Sequence, residues 1–159
     1  MFKLFVPFRI HSAGWLVIVL CFLVGVRVAG WGLALPFGFL LILSLLLHEA
    51  GHMLAAKIFS VQVHEFGLCL AGAYNRRAHA NRRRDEILIS VAGPMMNLCL
   101  VIPFLFVPRI GALLAVCNLE LCVFNLLPLP SSDGLRILRT IWPRPQVNLA
   151  PTSAILQLQ

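Results

Sequence analysis

Two histidines and a glutamate stand together inside an apolar run, His48-Glu49-Ala50-Gly51-His52. On a helix, His48 and His52 lie one turn apart and project from one face, so both imidazoles can reach a single ion. Glu49, three residues before His52, shares that face and is placed to take a proton from a water on the metal rather than bind the metal itself. Zinc lowers the pKa of such a water toward about 7, which makes hydroxide available near neutrality. Burying these three side chains in an apolar helix costs several kcal/mol unless they are paired or ligate a metal. A polar cluster holding helices together and a metal-transport site are the competing readings of the same residues.

Two imidazoles and a water leave a tetrahedral zinc one ligand short. His11, His64, His79, Glu65, Asp85, Glu86, Glu120 and Asp133 are the candidates. Asp133 stands out because Pro128 and Pro130 stop the helix before it, and Gly134 lets the backbone turn sharply after it. Irregular backbone at membrane depth is tolerated only where it lines a protein-enclosed or watery cavity. From the residues alone, Asp133 serves equally well as a helix cap.

The elements that must position these groups are apolar. Of 159 residues, 60% are hydrophobic and 12% charged, half the charge of an ordinary soluble domain. Four apolar blocks run from Trp15 to Val28, Phe37 to Phe59, Ile87 to Val107 and Ile110 to Leu127. A helix needs about 20 residues to cross the hydrocarbon, so the last three qualify by length. Whether the first crosses fully stays open.

With four spans, the N-terminus, the loop from Ser60 to Glu86 and the C-terminus share one side. That side collects Lys3, Arg9, Lys57, Arg76, Arg77, Arg82, Arg83, Arg84, Arg136, Arg139 and Arg144, against Arg27 and Arg109 opposite. The bias places both termini in the cytoplasm of an integral membrane protein, expected in a bacterial cell membrane. It also puts the HEAGH run in the cytoplasmic half of the second span and Asp133 just past the cytoplasmic end of the fourth, where they can meet. The arginines reflect lipid headgroups and cytoplasmic loops. No aromatic interleaving accompanies them, so no nucleic-acid partner is expected. Val61 to Leu70 alternates as a strand does, the first half of a hairpin. Five cysteines without repeated spacing predict neither a disulfide framework nor a thiolate metal site. The fold expected is therefore an all-α polytopic membrane protein, with about four transmembrane helices and a short β-hairpin between the second and third. Residues 1–142 form the membrane-embedded core, and 143–159 form a tail with three prolines and no assigned role.

Three motifs in order resemble the site-2 protease family of intramembrane zinc metallopeptidases. They are His48-Glu-Ala-Gly-His52 followed by Ala55-Ala56, then Ala92-Gly93-Pro94-Met-Met-Asn97, then Phe124-Asn125-Leu-Leu-Pro128-Leu-Pro130-Ser-Ser-Asp133-Gly134-Leu-Arg136. The resemblance implies one zinc ion per chain held by His48, His52 and Asp133, with Glu49 as general base. It implies that Asn125 holds substrate or stabilises the developing oxyanion, and that Gly93 and Asn97 let the third span approach the catalytic helix. It further implies a strand edge for an unwound transmembrane substrate, which the Val61 to Leu70 stretch resembles. Ser131, Ser132 and Leu135 depart from the family's Pro-Leu before the aspartate and its second glycine after Gly134, so a looser or differently bent loop is expected. No PDZ or CBS-type stretch is present in the 159 residues.

The leading expectation is an intramembrane zinc endopeptidase acting on transmembrane proteins within the bilayer. The alternative is a catalytically inactive pseudoprotease that binds membrane proteins, motivated by the altered aspartate loop. A metal transporter would need further intramembrane ligands, and Glu120 is the spare carboxylate well within a span.

Overall fold

The structure, a computed structural model, describes residues 6–11, 13–69 and 72–142. The 143–159 tail, Lys3 and Arg144 lie outside the described residues. The order of elements is β1 (Phe8–Ile10), α1 (Gly14–Ala29), a 3-10 turn (Trp31–Leu33), α2 (Ala34–Ile58), β2 (Val63–Cys69), β3 (Gly72–Arg77), α3 (Arg83–Leu105), α4 (Gly111–Leu126) and α5 (Asp133–Ile141).

The four apolar blocks become α1 to α4, each within a few residues of its expected bounds. The polarity of this bundle is inverted relative to a soluble core. Leu20, Leu23, Phe39, Leu98, Ile102, Val116 and Leu119 are exposed, while Ser44, Ser90, Asn97 and Asn118 are fully buried. Such a surface is stable against lipid, not water. Trp31–Ile58 and Arg83–Leu105 are long and apolar enough to cross a membrane, with only 28% and 33% of their apolar windows buried. The α4 block falls short of its expected span. It supplies 16 residues, as α1 does, and 16 residues rise about 24 Å against a hydrocarbon of about 30 Å.

Small residues set the helix spacing, as expected where no hydrophobic force drives helices together. A Cβ on Gly51 would lie 2.7 Å from the Ala92 carbonyl, so α2 and α3 touch backbone to backbone there. Apolar clusters close the bundle at both ends: Phe37, Phe104, Ile110 and Leu114 at one, Ala55, Ala56, Val61 and Ile89 at the other. The buried polar residues occupy the layer between.

The expected hairpin is present, β2 antiparallel to β3 with Phe66 opposite Asn75 and Leu68 opposite Ala73. It belongs to a three-stranded sheet, because β1 pairs parallel to β2 with Phe8 opposite Phe66 and Ile10 opposite Leu68. Gly67 permits this, since a Cβ there would strike the Arg9 carbonyl. The added strand corrects two expectations. The chain is not purely helical outside a hairpin. The strand from Val63 to Cys69 is central and already paired on both sides, so it is not the free edge. That edge is β3.

Candidate metal centre

His48 and His52, at positions i and i+4 of α2, point into the polar layer as the spacing requires. Asp133 arrives from the far end of the chain as the first residue of α5. His48 Nε2 and His52 Nε2 are 3.2 Å apart, and Asp133 Oδ2 is 3.2 Å from the first and 3.1 Å from the second. Ligands on a tetrahedral zinc at its usual bond lengths of about 2.0–2.1 Å stand about 3.3 Å from one another. The triangle of ligand atoms therefore has the dimensions of a zinc tripod.

The hydrogen bonds behind the rings fix which nitrogen faces the centre. The Leu114 carbonyl can only accept, so the Asn118 amide nitrogen faces it, at 2.9 Å, and also reaches Ser44 Oγ at 3.1 Å. Asn118 Oδ1 then accepts from Asn97 Nδ2 at 2.9 Å, which turns Asn97 Oδ1 toward His48 Nδ1. His48 must carry its proton on Nδ1 to donate there. His52 Nδ1 likewise donates to the Ile89 carbonyl at 2.7 Å. With neutral rings, both Nε2 lone pairs and a carboxylate oxygen converge on one point, an arrangement suited to a cation. Pro94 has no N–H for the Ser90 carbonyl and its ring crowds that turn, loosening α3 beside the Ile89 carbonyl. Gly93 leaves room for both rings, because a Cβ there would overlap His52 Nε2 and lie 2.7 Å from His48 Nε2.

Glu49 is buried beside this triangle. One of its carboxylate oxygens and one ring nitrogen from each histidine lie within 4.8 Å of one another. Proximity alone would make Glu49 a ligand, but the closer packing of Asp133 against both Nε2 atoms favours the aspartate. Glu49 Oε2 instead accepts from the Asn75 side-chain amide. Both carboxylates border a cavity of about 300 Å³, whose wall also includes Ala73, Tyr74 and Asn75 of β3, Asn125 and Arg136. Asn125 donates one amide N–H to the Leu121 carbonyl at 2.9 Å, which leaves its second N–H without a partner there, and it lines a cavity together with His48 and Glu49. Tyr74 donates to Glu65 at 2.5 Å. Desolvation and that carboxylate push the phenol up to about 12, so it remains a donor.

The remaining ligand candidates lie elsewhere. Glu65 serves Tyr74 and sits within 3.7 Å of Arg9 and His11, and Glu86 pairs with Arg77. His64 and His79 are exposed on the sheet side, and Asp85 is in the first turn of α3. Glu120 is exposed on the outer face of α4 instead of pairing inside the bundle. The five cysteines are unbridged.

The aspartate loop is not loosened by its serines. Ser132 Oγ accepts from the Leu135 N–H at 3.1 Å and caps α5, while it reaches the Leu127 and Leu129 carbonyls at 2.6 and 2.8 Å. Asn75, Asn118, Ser44 and the Ser132 cap were missed in the sequence. Ser44 and Asn118, polar residues within apolar helices, were the available signal.

Residues 36–110 match the family model described as Peptidase family M50. A zinc metalloprotease of Methanocaldococcus jannaschii is 32% identical over 112 residues, 64% of this chain and 33% of that protein. A relative from Synechocystis sp. is 30% identical over 122 residues, 70% of this chain and 32% of its own length. The chain spans about a third of the length of these curated relatives. The solved structure of the site-2 protease from M. jannaschii is similar with a TM-score of 0.68 at 29% identity, over 89% of this chain and 69% of that one. In its fold, its HEAGH helix and its aspartate loop the chain is similar to the site-2 protease, and its residues 36–110 carry the match to peptidase family M50.

Proposed function

We propose that the chain is an intramembrane zinc endopeptidase that hydrolyses peptide bonds in or near transmembrane segments of other proteins. The observation that carries this reading is the convergence of His48, His52 and Asp133 on one point with Glu49 beside it on a cavity wall. His48, His52 and Asp133 would hold the zinc, which when bound polarises a carbonyl and acidifies water. Glu49 takes the proton of the attacking water on its carboxylate and returns it to the leaving amine nitrogen. Asn75 steadies one Glu49 oxygen during both transfers. The free Asn125 N–H donates to the oxyanion as it develops, an interaction worth about 3 kcal/mol in comparable sites.

A helical substrate hides its carbonyls in its own hydrogen bonds, so it must unwind before attack. β3 pairs on one side only among the described residues, and its residues 73–75 front the cavity. An unwound segment adding to that edge would present an extended backbone to the site. In this reading α1 to α4 all cross the bilayer, the short α1 and α4 with help from flanking residues. The sheet, α5 and both termini face the cytoplasm. The arginines at that end, against Arg27 and Arg109 opposite, support the orientation.

Glu49→Gln tests the mechanism cleanly, since its amide oxygen can still accept from Asn75. The variant is expected to keep zinc and to lose cleavage of a co-reconstituted transmembrane reporter. Undiminished cleavage by Glu49→Gln refutes it.

A further inference from the structure

A second cavity of about 250 Å³ adjoins the zinc-site cavity, sharing Asn75 and Arg136 as walls. Its lining is cationic. Arg76 and Arg77 come from the end of β3, Arg136 from α5, and His64 and His79 border it. The Glu86 carboxylate is already spent: it accepts from both Arg77 terminal nitrogens at 2.8 and 2.7 Å and from the Ala80 N–H at 2.9 Å. Arg136 enters no ion pair among the described residues, and Arg76, opposite Glu65 in the sheet register, makes no ion-pair contact within 4.0 Å although its charge acts on the Glu65 carboxylate. Behind them Arg77 is only 4% exposed, and its Nε–H and the Asn75 Oδ1 have no partner. Polar capacity is concentrated here and only partly spent.

β3 links the two cavities. Ala73, Tyr74 and Asn75 front the zinc site, and Arg76 and Arg77 front the cationic cavity. An extended chain beside β3 advances about 3.3 Å per residue. With its scissile bond at the zinc site, it would bring a side chain roughly two to three residues away to Arg76 and Arg136. Guanidinium groups recognise carboxylates through paired, charge-assisted hydrogen bonds.

We propose that this cavity is a substrate subsite for an acidic residue, Asp or Glu, on the cytoplasmic side of the cleaved bond. The assignment rests on the peptidase reading. It gives the site a selectivity: membrane segments ordinarily carry Lys or Arg at their cytoplasmic ends, and Arg76 and Arg136 repel them. A lipid phosphate shares the anionic chemistry, but a cavity walled by β3 and α5 and adjoining the zinc site favours the substrate.

The test uses a transmembrane reporter carrying Glu, Gln or Lys at the three positions on the cytoplasmic side of the cleavage site. Cleavage is measured in phosphatidylcholine vesicles with and without phosphatidylglycerol, and binding is measured with Glu49→Gln protein. The expected order of kcat/KM is Glu, Gln, Lys, spanning about tenfold for two partly exposed ion pairs, and Arg76→Glu reverses it. Equal cleavage of the Glu and Lys reporters, or an order unchanged in Arg76→Glu, overturns the subsite while the peptidase reading stands. Activity that follows phosphatidylglycerol through Arg76, whatever the reporter's charge, assigns the cavity to lipid and also overturns it. Charge-selective binding with no cleavage by any protein keeps the subsite and sinks the peptidase reading.

Discussion

Gly93→Ala places one methyl group where the two imidazoles now lie. The added Cβ would stand 2.7 Å from His48 Nε2 and 2.5 Å from His52 Cε1, and nearer still to His52 Nε2. Non-bonded carbon atoms are comfortable at about 3.5–4.0 Å, and α3 cannot retreat far because it packs against both α2 and α4. The rings must therefore turn. Turning them breaks the His52 bond to the Ile89 carbonyl and the His48 bond to Asn97. Losing a hydrogen bond behind a metal-bound histidine typically costs about 10–100-fold in affinity. Losing both should weaken zinc binding by about 10²–10⁴-fold, or about 3–5 kcal/mol. The fold should survive, since alanine favours a helix interior by about 1 kcal/mol over glycine. Purified protein equilibrated with buffered zinc in detergent gives the affinity, and thermal unfolding checks the fold. Wild-type zinc affinity in a folded Gly93→Ala protein would refute the packing argument.

Asn118→Leu leaves the Asn97 amide without its fixed partner and should destabilise the protein by about 1–3 kcal/mol. It should also weaken zinc binding by about tenfold, because Asn97 becomes free to flip away from His48. Unfolding in detergent and zinc titration test the two effects separately, and unchanged zinc affinity would break the proposed chain from Leu114 to His48. Ser132→Ala should cost about 1 kcal/mol through loss of the α5 cap, with Ser132→Asn recovering most of it. A melting temperature equal to wild type for Ser132→Ala would show that the cap does not hold Asp133 in place.

Much of this architecture was legible because it rests on local rules. The i, i+4 spacing of His48 and His52 puts both rings on one helix face, and an apolar run in a charge-poor chain reads directly as α2 or α3. The residues alone left Asp133 even between ligand and helix cap, and the resemblance carried by three motifs favoured the ligand, since its partners are 81 and 85 residues away in sequence. β1 escaped notice because three residues carry no period, and its pairing with β2 depends on Gly67 leaving room for a distant backbone. That omission put the free sheet edge on the wrong strand. Asn75 lay within the expected hairpin, but its contact with Glu49 depends on how the sheet docks against α2. The shortness of α4 was hidden for a simpler reason. Composition shows where a segment is apolar, while the turn after α3 and the break before Pro128 decide where the helix ends.

Zinc content of purified protein, wild type beside His48→Ala and Asp133→Ala, bears most directly on whether α2 and α5 build one metal centre. One zinc per wild-type chain, lost in both variants, is the predicted result. Zinc retained at the wild-type level in folded Asp133→Ala protein would contradict it.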